Sequence, residues 1–273
     1  MPPSGRYGQL VTVAKSGGMF TNIQSAVNSV TDATAEKPYT ILIYPGIYDV
    51  GGGAGDFAVG ICMQGSDGGA TRDYINLVGV DRNACVIRRV GAPGVLTGVI
   101  QACNHFYIGN LTIDSDDTRH VHWDTSAGAT LHADGVTFRS DGSPGGQGGL
   151  SCGGEGGNRW IVTNCHFDKA IASCPGGGVG NGGYFDMYVS GCQFRADSGA
   201  TLGFDLRDAL HPTRLHIHGT TFWHYTVDPA HIGLLMPTDT TKPVEIYTDL
   251  QAAVFVPTPG TPDLFYNSFI RPQ

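Results

Sequence analysis

"IVTNCHF", residues 161–167, returns as "YVSGCQF" at residues 188–194, with the cysteine and the phenylalanine each recurring 27 residues on. The same phrase, loosened, runs through the middle of the chain as five lines: FYIGNLTID (106–114), LHADGVTFR (131–139), WIVTNCHFD (160–168), MYVSGCQFR (187–195) and LHIHGTTFW (215–223). Aligned on the fifth residue, they give Asn110, Gly135, Asn164, Gly191 and Gly219, at steps of 25, 29, 27 and 28 residues. A period in this range marks a repeat architecture in which each copy buries its apolar face against the next.

A strand turns successive side chains to opposite faces. Positions one and three are apolar in every line: Phe106/Ile108, Leu131/Ala133, Trp160/Val162, Met187/Val189 and Leu215/Ile217. Position six reads Leu111, Val136, Cys165, Cys192 and Thr220, and position eight reads Ile113, Phe138, Phe167, Phe194 and Phe222. These columns face a common core. The fifth position holds only Asn or Gly, the residues that most readily take a left-handed backbone, so each line is a strand, a one-residue corner and a second strand. Stacked coils of about 27 residues with such a corner predict an all-β fold, a single-stranded right-handed parallel β-helix with neighbouring coils about 4.8 Å apart.

Bulk composition agrees with an all-β reading. Glycine is abundant (41 of 273 residues) and charged residues sparse (15%), which favours many tight turns over helical bundles. The net charge of −8 argues against a nucleic-acid partner or an anionic membrane surface, which need clustered Lys and Arg. No apolar run is long enough for membrane insertion, and MPPSGRYGQL has neither the basic nor the apolar region of a secretory signal. The seven cysteines show no zinc spacing and read as buried thiols, Cys165 and Cys192 stacked in one core column. Cys152 and Cys174 look like a weaker pair on another face. Later crosslinking outside the cell is the competing reading.

The ends of a β-helix need covers. MFTNIQSAVNSV (19–30) places Phe20, Ile23, Val27 and Val30 on one helical face with Thr21 as N-cap, a short α-helix closing the N-terminal end. YTILIYPGIYD (39–49) reads as the first strand, broken at Pro-Gly. The expected division is an N-terminal cap over 1–50, the β-helix over 51–250 and a capping or interface tail over 251–273, whose aromatic residues include Phe265, Tyr266 and Phe269.

VTVAKSGGMFTNIQSAVNSV (11–30) followed by ILIYPGIYD (41–49) resembles the opening of pectinesterases and of the wider pectate-lyase-like superfamily, which includes bacteriophage tail-spike and fibre proteins. The resemblance implies a β-helix. It does not carry the esterase site, because the Gln-Asp-Thr-Leu, Asp-Phe-Ile-Phe-Gly and Leu-Gly-Arg-Pro-Trp segments of pectinesterases are missing, LGFDLRD (202–208) being a faint echo.

Chemistry then has to be sought on the outer faces. Position nine gives Asp114, Arg139, Asp168, Arg195 and Trp223, read as a salt ladder that fixes register. The functional alternative for Asp114, Asp116 and Asp117 is calcium binding or acid–base work, with Arg139 or Lys169 as the basic partner. Position two gives Tyr107, His132, Ile161, Tyr188 and His216, an outward stripe suited to glycan binding or to an interface, together with Trp223, unless side loops cover it. The pairs His120/His122 and His216/His218 read as solvated outer-face residues rather than metal ligands. GFDLRDALH (203–211) is the best place for a hydrolytic site, with Asp205, Asp208 and His211 near one turn, and Asp116 as a further acid. Trp123-Asp124 occupies the comparable strand of an earlier coil. The glycine-rich stretches 142–149 and 175–183 read as permissive turns.

The sequence thus points to a non-enzymatic phage virion β-helix protein, a spike, fibre or surface decoration, made in the host cytoplasm. It is expected to form a homotrimer, to contact other virion proteins and to bind a host-surface polysaccharide. The alternative is a polysaccharide lyase or glycoside hydrolase, with calcium as its candidate cofactor and a non-classical route of secretion, but not a standard pectinesterase.

Overall fold

The computed structural model describes residues 9–51, 60–63, 72–90, 98–115, 119–123, 128–139, 149–152, 157–168, 171–173, 185–196, 204–205, 213–224, 234–235, 244–248, 255–256 and 268–271. It opens with β1 (Gln9–Val13) and helix α1 (Ile23–Ser29). Each following coil then lays down three strands in turn. The first gives β2 (Tyr39–Ile43), β3 (Gly46–Gly51) and β4 (Ile61–Cys62), and the second β5 (Ile75–Gly79), β6 (Cys85–Val90) and β7 (Gly98–Gln101). Next come β8 (His105–Gly109), β9 (Thr112–Asp114) and β10 (Arg119–Trp123), then β11 (Thr130–Asp134), β12 (Thr137–Arg139) and β13 (Gly149–Cys152). β14 (Arg159–Thr163), β15 (His166–Asp168) and β16 (Ile171–Ser173) are followed by β17 (Phe185–Ser190), β18 (Gln193–Ala196) and β19 (Phe204–Asp205). The last elements are β20 (Thr213–His218), β21 (Thr221–His224), β22 (Leu234–Leu235), β23 (Val244–Thr248), β24 (Phe255–Val256) and β25 (Ser268–Arg271).

Every strand pairing between these elements is parallel, and the strands collect into sheets of ten, eight and seven. The chain is an all-β parallel β-helix, with one short helix among the described residues. The corners behave as their residue types require: Asn110, Gly135, Asn164, Gly191 and Gly219 all have φ between 53° and 63°. Asn110 also donates its amide to Gly79 O of the preceding coil at 2.8 Å, so the corner residue ties two coils together.

The core columns lie inside as the alternation requires. Ile108, Leu131, Ala133, Trp160, Met187 and Leu215 are all fully buried. In the position-eight column, the ring centroids of Phe138 and Phe167 are 4.8 Å apart and those of Phe167 and Phe194 4.3 Å, the latter pair inclined by only 5°. One ring thus stacks on the next at the spacing of the coils. Cys165 and Cys192 are buried free thiols in the position-six column, and burial raises the Cys165 thiol well above its ordinary range. Cys152 closes β13, and Cys174 lies outside the described residues.

The repeat extends further towards the N-terminus than five lines of sequence reveal. Register sets Gly79, the last residue of β5, opposite the Asn110 corner but without its positive φ, and Cys85 and Ile87 continue columns six and eight. Five extra residues, Val80 to Ala84, intervene, folded into a turn in which Asp81 accepts the Asn83 and Ala84 N–H groups at 2.7 and 3.1 Å. β3 adds Tyr48 to column eight, beside Ile87.

At the N-terminal end, Ile23, Ala26, Val27 and Val30 are buried against the first coils. The N-cap is Asn22, whose Oδ1 accepts the Ser25 N–H at 2.9 Å, and not Thr21, because the helix begins one residue later than the apolar pattern indicates. The first strand is β1, not the 39–49 segment, which supplies β2 and β3. The Gln24 side-chain amide accepts the Cys62 N–H (2.6 Å) and donates to Cys62 O (3.2 Å), imitating one more strand on the edge of β4. Phe20 does the same for β1, its N–H meeting Thr12 O and its carbonyl the Ala14 N–H, both at 3.0 Å. Polar main chain that would be left open at the sheet edges is satisfied in this way.

The position-nine residues form a ladder on the seven-stranded sheet. Arg88 bonds Asp49 at 2.8 Å and Arg139 bonds Asp114 at 2.7 Å, while register sets Arg88 beside Asp114 and Arg139 beside Asp168. Exposed pairs of this kind stabilise modestly. Arg139→Ala is expected to cost less than about 1 kcal/mol in urea unfolding, and less again in high salt. A loss above about 2 kcal/mol would mean that the ladder holds the coils together rather than only setting their register.

Among the described residues no helix is long and apolar enough to cross a membrane.

Candidate functional site

Alternation along the ten-stranded sheet sends position two outward between the buried positions one and three. Register then stacks Tyr107, His132, Ile161, Tyr188 and His216 in one row and extends it to Tyr247. Every member is half-buried. A second row, two residues earlier on each strand, holds Arg159, Asp186, Arg214 and Glu245, and a third, two residues later, holds Asp134, Thr163, Ser190 and His218.

The rings are turned so that they cover one another. Tyr188 and His216 lie 4.4 Å apart at 9°, and His216 and Tyr247 4.5 Å apart at 6°. The Arg159 guanidinium sits 5.7 Å from the Tyr188 ring centroid. Ring planes perpendicular to the coil axis spend their faces on neighbours, so the outward surface of this stretch is a row of ring edges. Further up, Tyr107 meets His132 edge to face, at 5.0 Å and 89°. Tyr107 lies back over Gly109, where a Cβ would stand 2.6 Å from its hydroxyl; glycine is what makes room for the ring.

The flanking rows are tied down. Arg214 reaches Asp186 at 3.6 Å and Glu245 at 3.5 Å, and the Tyr247 hydroxyl donates to Glu245 at 2.8 Å. The Thr163 hydroxyl and the Asn164 amide donate to Asp134 Oδ1 at 2.7 and 3.0 Å. Burial would raise the Asp134 carboxyl, but those two hydrogen bonds outweigh it and hold the group below its ordinary value. Burial pushes the Tyr107 hydroxyl up to about 12, with Asp134 adding to the shift, and burial lowers both His132 and His216. At neutral pH Tyr107 therefore stays protonated, His132 and His216 are neutral and Asp134 is ionised. The face offers fixed hydrogen-bond donors and acceptors.

Trp223 is elsewhere, on the seven-stranded sheet in register with Arg195. Asp205 lies on β19 of the eight-stranded sheet, where register places it in one column with Gln101, His122, Ser151 and Ser173. β10, which carries Trp123 and follows Asp116, is three strands away on that sheet, about 14 Å along the axis at 4.8 Å per coil. Asp116, Asp117, Asp124, Lys169, Arg207, Asp208 and His211 fall outside the described residues. Repeat spacing did not reveal the Asp205 column, because its short strands follow connections of unequal length; its trace in the sequence was the likeness of the Trp123 and Asp205 stretches, and β10 and β19 do lie in one sheet.

His216 and His218 are half-buried on the outer face, but His120 is fully buried, contrary to the solvated reading. Both His120 and Val121, next to each other on β10, are enclosed. Among the described residues no group of three or more His, Cys, Asp or Glu side chains is placed to hold a metal ion.

No family model and no curated protein matches the chain. Solved structures do. A pectin methylesterase in complex with a hexasaccharide aligns with a TM-score of 0.53 at 16% identity, over 90% of this chain and 79% of that one. Pectin methylesterase PemA from Erwinia chrysanthemi aligns at 0.50, with the same identity and coverage. ORF18 of Geobacillus virus E2 aligns more loosely, at 0.41 and 12% identity, over 97% of this chain and 61% of that one. The chain shares the right-handed β-helix fold of the two pectin methylesterases. At this identity the likeness concerns fold alone.

Proposed function

We propose that the chain is a non-enzymatic virion β-helix, a spike, fibre or surface decoration, that binds host-surface glycan along the outer face of its ten-stranded sheet. The observation that carries the reading is the row Tyr188, His216 and Tyr247, whose faces are spent on stacking and whose edges stand beside tied-down charged groups. Such a face is preorganised for hydroxyl contacts, and its ionisable groups are held in place rather than poised to exchange protons. The missing pectinesterase segments and the resemblance to phage β-helices support the virion assignment.

Light scattering on the purified chain tests the assembly, a trimer giving about three times 28.8 kDa. The same sample is then incubated with bacterial surface polysaccharides and pectins, with and without calcium. Binding without release of methanol, reducing ends or unsaturated sugars is expected, and His216→Ala should weaken that binding about tenfold. Product release would overturn the reading in favour of a carbohydrate-active enzyme. In that case Asp205→Asn should abolish the release.

A further inference from the structure

Beyond the outer face, one buried titratable group has an unusual set of partners. His120 stands in register between Val99 on one side and Gly149 on the other, as the flanking pairs Val121↔Ile100 and Val121↔Leu150 require. Val99 is fully buried, and Gly149 has no side chain. The imidazole takes the space below it. Nδ1 accepts the Gly149 N–H, and Nε2 lies 2.6 Å from Arg139 O, a carbonyl that also accepts the Ser115 N–H at 3.0 Å.

Arg139 is the last residue of β12 and Gly149 the first of β13, so one ring ties the end of one strand to the start of the next. An N–H can only donate and a carbonyl can only accept, which fixes the ring as the neutral tautomer with its proton on Nε2. A second proton on Nδ1 would set a donor against a donor.

We propose that His120 is a proton-sensitive clamp that ties Arg139, the last residue of β12, to Gly149, the first of β13, only while its ring is neutral. Among the described residues, Asp114 on β9 and the hydrogen bond to Arg139 O favour the charged ring, but Asp114 is already paired with the Arg139 side chain at 2.7 Å, and the Phe138 ring stands edge-on at 6.0 Å. Asp116 and Asp117 lie outside the described residues. Burial dominates and lowers the group to about 4. The sign follows from linkage. The unfolded chain takes up the proton near pH 6.5 and the folded chain only near 4, so the stabilisation is complete above about 6.5. Below that, the folding constant falls by about tenfold per pH unit until about 4.

The test is a titration of the full chain with nitrogen-15 histidine and glycine, read by two-dimensional NMR. The expected result is an Nε2–H tautomer for His120 and a slowly exchanging Gly149 amide at neutral pH, both changing with one shared midpoint well below that of an ordinary histidine. His120→Phe keeps the bulk without either hydrogen bond and should speed Gly149 amide exchange at least tenfold at neutral pH. If that variant does not fold, the wild-type titration decides alone. A His120 midpoint near 6.5, the opposite tautomer, or a Gly149 amide that ignores the titration overturns the proposal.

Discussion

Phe167→Ala is expected to lose about 3 to 5 kcal/mol of folding stability. The ring is fully buried between Phe138 and Phe194, with centroids at 4.8 and 4.3 Å, so truncation removes contacts to both neighbouring coils at once. The backbone there is locked into parallel pairing on both sides and cannot collapse into the gap, which puts the cost towards the upper part of the range. Phe167→Leu keeps most of the volume and should cost about 1 to 2 kcal/mol. Urea midpoints at unchanged slope measure both. A loss below about 1.5 kcal/mol for the alanine variant would mean that the column is not the packed spine its geometry indicates.

Gly191→Val is the second large effect, about 2 to 3 kcal/mol, and it comes from the backbone rather than from packing. Gly191 has φ of +62°, which a β-branched residue tolerates poorly. A Cβ there also meets Asn164 Oδ1 at 3.0 Å, and the Asn164 amide is committed to Asp134 at 3.0 Å. Gly191→Asn, by contrast, places in this corner the residue that Asn110 and Asn164 already use at φ of 53° and 54°, and should cost less than about 1 kcal/mol. Equal losses for the two variants in thermal unfolding would refute the corner argument and leave only the contact with Asn164.

Both predictions rest on features that are visible as a pattern. Inward columns recur because every coil must present apolar groups to the same core, and the corner is restricted to Asn or Gly because its φ is positive. The first coils were harder to see. The turn from Val80 to Ala84 separates Gly79 from Cys85, and a repeat search at constant spacing loses the phase there although the three-dimensional register keeps it. The N-cap shows a smaller slip of the same origin: Thr21 and Asn22 are both capping residues by type, and only the hydrogen bond to Ser25 selects Asn22. His120 went unrecognised because a histidine on an alternating strand looks solvated until the neighbouring coil supplies a glycine beneath it.

The sequence alone determined the architecture: the period, the core columns, the corners and the outward position of Tyr107, His132, Tyr188 and His216, all of which follow from the two-residue alternation of a strand and the conformational needs of a turn. The tertiary structure decided what those outward residues do to one another. Tyr188, His216 and Tyr247 are far apart along the chain, and they stack face to face because parallel register brings each coil's second position over the last, at a spacing close to the thickness of a ring pair. Whether an outward aromatic offers its face or its edge, and whether a histidine is wet or enclosed, depends on neighbours a full coil away, and loop lengths that carry no pattern of their own set which neighbours those are.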